Sequence, residues 1–167
     1  YEKDTARSNV IKYDQNDTYS VIVLDKTPFY AESGGQIGDK GTIKSDGFKF
    51  LVEDVKKYGD QYIHFGEVVS GNIKNIKSVN SEINISHRNS IRRNHTATHL
   101  LHQSLKDVLG DHVQQAGSLV SDEKLRFDLT HYQKINDIEI KEIEDKVNEV
   151  IRANLSLDTT IEDFELA

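Results

Sequence analysis

Apolar and polar positions alternate along the first half of the chain and recur at helical spacing along the second. Tyr19-Ser20-Val21-Ile22-Val23-Leu24 is a β-branched, apolar run ending at Asp25. Phe48–Val55 and Tyr62–Val69 follow, parted by the turn-forming Tyr58-Gly59-Asp60. Ser81–Ser86 alternates polar and apolar residues, the pattern of a half-buried strand. Short strands with turns between them predict a small antiparallel barrel that ends near Ser86.

The period then changes. Ala97, Leu101, Leu105 and Val108 predict a helix from Asn94 to Leu109, with Gly110 as its stop. His112–Val120 and Leu125–Thr130 read as two strands joined by Ser121-Asp122-Glu123-Lys124. Ile140, Ile143, Val147, Val150 and Ile151 form the apolar stripe of a second helix, Asp137–Leu155, which Asn136 or Asp137 could cap. Leu157–Ile161 reads as a further strand. The expected fold class is α+β. Residues 1–86 form a barrel-like subdomain and 87–167 a core of helix, strands and long helix. The chain starts without Met and stops at Phe164-Glu165-Leu166-Ala167 without a turn signal, as expected of a piece truncated at its C-terminus.

Composition narrows the function. With 36% hydrophobic and 29% charged residues the chain is polar and globular, and no apolar run approaches the ~18 residues that span a bilayer. Tyr1-Glu2-Lys3-Asp4 lacks the basic start and apolar stretch expected of a signal peptide. Without cysteine it has neither disulfides nor a thiolate to offer a metal, which fits a reducing, cytoplasmic setting. The net charge of −7 excludes a generally basic nucleic-acid binder but not a local patch. Arg88, Arg92 and Arg93 are the candidates for one, as RNA contacts or as the solvated start of a helix.

His95 and His99 stand at i and i+4, so both imidazoles share a helix face and can reach one metal ion. The same spacing also suits a plain polar face. Thr96 stands where a metalloprotease would carry its glutamate, which excludes that chemistry. Thr98, on the same side, could hydrogen-bond a substrate, or could simply edge the apolar stripe. His102, one turn further, and His131 are the first candidates for a third ligand. Gln114-Gln115-Ala116-Gly117-Ser118 places amides and a hydroxyl around a glycine, which suits an amino-acid ligand or else a bulged strand. In the stretch from Pro28 to Gly41 the glycines lack a following Gly-Lys-Ser/Thr, so a tight turn is expected there rather than a phosphate loop.

Four ordered stretches carry a resemblance. They are Thr27-Pro-Phe-Tyr-Ala-Glu-Ser-Gly-Gly-Gln-Ile-Gly-Asp-Lys-Gly41, Arg93-Asn-His-Thr-Ala-Thr-His-Leu-Leu-His102, His112-Val-Gln-Gln-Ala-Gly-Ser-Leu-Val120 and Leu125-Arg-Phe-Asp128. Together they resemble the editing region of the alanyl-tRNA synthetase family, over nearly the whole chain. Free-standing alanyl-tRNA editing proteins share these stretches, and the threonyl synthetase editing domain is a more distant relative. The resemblance implies an alanine-tRNA ligase parent whose editing site hydrolyses mischarged Ser-tRNA(Ala) and Gly-tRNA(Ala). It implies a zinc ion on His95 and His99 plus a later Cys-x-x-x-His pair, with Thr98, Gln115 and Ser118 lining the pocket. The cysteine has no counterpart here, so the piece alone is expected to bind zinc weakly and to be inactive. ATP and magnesium would belong to the parent's catalytic domain. The implied partners are the acceptor end of tRNA(Ala) and the parent's other domains, with no membrane. A free-standing trans-editing deacylase and a non-catalytic RNA-binding module are the alternatives.

Overall fold

The computed structural model describes residues 3–16, 19–74 and 76–156. Six strands run in chain order: β1 (Thr5–Gln15), β2 (Ser20–Leu24), β3 (Gly41–Ser45), β4 (Phe48–Tyr58), β5 (Gln61–Ser70) and β6 (Ser78–Ile83). They close into an antiparallel barrel in the order β1-β2-β5-β4-β3-β6, the expected architecture. Strand β1 makes the closure. Its first half pairs with β6, Thr5 opposite Glu82, and its second half with β2, Gln15 opposite Ser20.

Alternation fills the interior. Phe48, Phe50 and Val52 point inward from β4, and a bulge between Val52 and Asp54 shifts the phase so that Val55 points inward as well. Ile22, Leu24, Ile43, Val79 and Ile83 complete that core with Phe29 from the loop after β2. His64 sits among them, fully buried. Its Nδ1 donates to Ile22 O at 2.9 Å, and Thr27 Oγ1 lies 2.7 Å from Nε2. Burial pushes its pKa down to about 4. Between that value and the ordinary 6.5 the unfolded chain takes up a proton and the native chain does not, so stability falls as pH falls across this window. The full difference is about 3 kcal/mol. An NMR titration of the His64 ring should therefore find it neutral at pH 5, as an ordinary histidine would not be, and a midpoint near 6.5 would contradict this environment.

The last barrel strand ends earlier than the pattern suggested. Ser81–Ser86 is not one strand: Asn84 leaves the sheet and caps helix α1 (Ile85–Leu109), its side chain accepting from His87 N at 3.1 Å. The helix thus starts well before Asn94. Gly110 ends it, its N–H donating to Lys106 O at 2.8 Å. The hairpin β7 (Gln114–Val120) and β8 (Leu125–Thr130) follows, without His112 and Val113. Helix α2 (Asp137–Ala153) closes the described chain. Asn136 accepts from the backbone N–H of Glu139 while the Glu139 side chain accepts from Asn136 N, a capping box. Leu105, Val113 and Ile143 form the small core among α1, α2 and the hairpin. Of the stripe expected on α2 only Ile143 is buried, since α1 is the helix packed beside it, and Ile140, Val150 and Ile151 face solvent. The expected strand Leu157–Ile161 lies outside the described residues.

Candidate functional site

The loop between β2 and β3 joins the barrel to the helical half. Asp39, on this loop, accepts from Tyr30 N at 2.6 Å and from Arg88 Nε at 2.8 Å, and Arg88 also donates to Pro28 O at 3.0 Å. Arg88 is 2% exposed and Asp39 1%. Such a pair repays its desolvation only when further hydrogen bonds surround it, and those from Tyr30 N to Asp39 and from Arg88 to Pro28 O do so here. Arg88 is therefore an interior clamp between loop and helix and not a surface residue. Arg92 and Arg93 are the solvent-facing members of the arginine cluster, Arg93 donating to Ser90 Oγ at 2.9 Å.

Further along the loop the chain turns tightly at Ser33-Gly34-Gly35-Gln36, with Ser33 and Gln36 exchanging backbone hydrogen bonds of 3.0 and 3.1 Å. The expected turn is present and leads into a strand, not a helix. Its outer edge adds to the hairpin: Val120 N donates to Gly35 O at 2.8 Å and Ile37 N to Val120 O at 3.1 Å, a parallel bridge onto β7. Gly35 has φ +82°, and a Cβ on it would lie 2.5 Å from Ser118 O. Only glycine lets the turn come this close to the strand.

On β7 an extra residue, Ala116, interrupts the register between Gln115 and Gly117. Residues three apart on a regular strand point to opposite faces. The bulge brings Gln115 and Ser118 to the same face, where Gln115 Nε2 donates to Ser118 Oγ at 3.0 Å. The bulge and the polar pair are thus one feature.

Helix α1 runs past this hairpin, held by Asn94 Nδ2 donating to Ser121 O at 2.8 Å. Ile91, Thr98 and Leu105 are its buried stripe. The Thr98 hydroxyl donates to Asn94 O at 2.8 Å, which leaves its oxygen able only to accept. His95 is half-buried and His99 exposed, their rings stacked with centroids 5.1 Å apart. Burial, and then the neighbouring His99, hold the His95 pKa below its usual value, which favours the neutral ring that can donate an electron pair. His95 Nδ1 lies 2.6 Å from Oε1 of Gln36, the buried side chain of the turn.

His102 packs its ring on Phe127, centroids 5.1 Å apart, with Nε2 buried and without a hydrogen-bond partner. His131 bonds instead to His112 at 2.9 Å, beyond the C-terminal end of α1. Among the described residues no group of three or more His, Asp or Glu side chains gathers as a metal cage. The turn thus meets α1 through Gln36 and His95, and meets β7, the strand that carries Gln115 and Ser118, through Gly35 and Ile37. Gln36 and Asp39 were not singled out from the sequence: both lie within the quoted glycine-containing stretch, but their partners are 59 and 49 residues away. No helix among the described residues is long and apolar enough to cross a membrane.

A family model described as class II tRNA synthetases (A) matches residues 3–87, just over half of the chain. The match covers all six barrel strands, the loop carrying Gln36 and Asp39, and the first residues of α1. This chain belongs to the class II tRNA synthetases, and its barrel is an alanyl-tRNA-synthetase-like domain.

Proposed function

We propose that the chain comes from an alanine-tRNA ligase and carries part of an editing site that hydrolyses Ser-tRNA(Ala) and Gly-tRNA(Ala). The observation behind this reading is the bonding of the barrel turn, within the family-matched segment, to both β7 and His95. The turn of a synthetase barrel then touches both the histidine helix and the strand that carries Gln115 and Ser118.

The chemistry needs such a site. An alanine pocket rejects glycine poorly, because one methyl group changes binding by only about 1–3 kcal/mol, and it excludes the added hydroxyl of serine weakly too. A second, hydrolytic site makes up the difference. Here Thr98 and Gln115 would read the serine hydroxyl, and Ser118 would fix the Gln115 amide. Arg92 and Arg93 would meet phosphates of the tRNA(Ala) acceptor end.

Two stacked imidazoles on one helix face suit one side of a tetrahedral zinc site, so His95 and His99 would hold the metal. Bound zinc would polarise the ester or activate the attacking water. ATP and magnesium would serve the ligase's aminoacylation domain, and a cytoplasmic setting suits a cysteine-free chain working on tRNA. With no further cage among the described residues, the 167-residue chain should purify folded, zinc-poor and with little deacylase activity. A longer chain that supplies the remaining ligands should gain both. Elemental analysis checks this directly, and one tightly held zinc per chain of this length would overturn the half-site reading.

A further inference from the structure

Gln36 is 1% exposed, and its backbone is pinned on both sides by the bonds from Gly35 O and Ile37 N to Val120. Its side chain therefore reaches α1 from a fixed base, and Oε1 ends 2.6 Å from His95 Nδ1. An amide oxygen has lone pairs and no hydrogen, so the shared proton belongs to Nδ1. A neutral imidazole carries a single N–H. With that hydrogen on Nδ1, Nε2 is left as the bare electron pair. The barrel core holds the same arrangement at His64, where Nδ1–H donates to Ile22 O.

We propose that Gln36 is a positioning residue for His95: it holds the imidazole in the Nδ1–H tautomer, with Nε2 as the donor atom, and so makes the barrel turn part of the site on α1. This rests on the reading of His95 and His99 as metal ligands. Gln36 itself does not touch the metal. Its effect is orientation and basicity of the ligand, the role that carboxylates and backbone carbonyls play behind ligating histidines elsewhere.

Long-range nitrogen–proton NMR of the metal-free 167-residue chain, at a pH where the ring is neutral, reads the tautomer of each histidine. The unaltered protein should show His95 with its hydrogen on Nδ1. Gln36→Leu should shift His95 towards Nε2–H, and Gln36→Glu, which keeps an acceptor, should retain Nδ1–H. His64 serves as the fold control, its tautomer unchanged throughout. If Gln36→Leu loses the His64 signature as well, Gln36→Met supplies the same length with only a weakly accepting sulfur in place of the amide oxygen. Zinc chloride titrated into each protein, followed at the His95 and His99 signals, should half-saturate at roughly 10-fold higher concentration in Gln36→Leu and near the original value in Gln36→Glu. An unchanged His95 tautomer in Gln36→Leu, or a changed tautomer with unchanged zinc half-saturation, overturns the positioning role. If His95 and His99 of the unaltered protein ignore zinc altogether, the metal reading itself fails, and the role of Gln36 towards it fails too. These outcomes separate because the last is read on the unaltered chain alone.

Discussion

Replacing Arg88 with Met is expected to destabilise the protein by about 3–5 kcal/mol, since it leaves the Asp39 carboxylate buried without its counter-charge. For a chain of this size that lowers the melting temperature by roughly 10 °C or more. The loss should not come from packing volume, because Met fills much of the space of the arginine stem. It should come from Asp39, which would keep its bond from Tyr30 N and lose the guanidinium. The double variant Arg88→Met/Asp39→Leu should therefore recover most of the loss, as apolar replacements of whole buried pairs do. Amide exchange at Ile37 and Val120 should quicken in the single variant, because the clamp and the bridge onto β7 belong to one loop. Thermal melts placing Arg88→Met within about 1 kcal/mol of the unaltered protein would show that the pair does not clamp the two halves, since surface ion pairs have effects of that size.

The second large effect is functional. Thr98 replaced by a bulky residue such as Phe, in the full ligase, should slow hydrolysis of Ser-tRNA(Ala) by on the order of 10²-fold while alanine charging continues. Thr98 is buried on the α1 stripe between turns that carry His95 and His99, so added volume displaces the site and not a distant surface. Some destabilisation is expected as well, about 1–3 kcal/mol from overpacking. The ratio of the two activities separates the effects. Equal loss of editing and charging would mean that the variant unfolds the chain and says nothing special about Thr98.

How much of this could be read from the chain depended on where each element hides its side chains. Strands β2 and β4 bury apolar residues, and β5 packs Tyr62 and Val68 against that core, so all three announced themselves. Strand β1 did not, because its buried interior residue is Ser8 and its other side chains are polar or half exposed. Strand β3 has one apolar residue, Ile43, directly after the glycine-containing loop. The first turns of α1 were missed for a related reason. They bury His87 and Arg88 as well as Ile91, so their inward face carries no continuous apolar period. Helix spacing correctly put His95 and His99 on one face. The partnership of Gln36 with His95 had no local signal, since it arises only once the loop has crossed from the barrel to β7 and α1. The arginine cluster misled in part, because sequence cannot distinguish a phosphate contact from an ion pair closed inside the fold.

Whether the barrel and the His95–His99 helix together serve tRNA editing is decided by deacylation in the full ligase. Ser-tRNA(Ala) and Ala-tRNA(Ala) would be supplied separately to the unaltered ligase and to its His95→Ala/His99→Ala variant, and ester hydrolysis followed over time. With the unaltered ligase the seryl ester should be lost rapidly and the alanyl ester persist. In the variant seryl hydrolysis should fall to the uncatalysed rate while alanine charging is kept. Seryl hydrolysis at an undiminished rate in the variant would show that the His95–His99 helix does not serve editing.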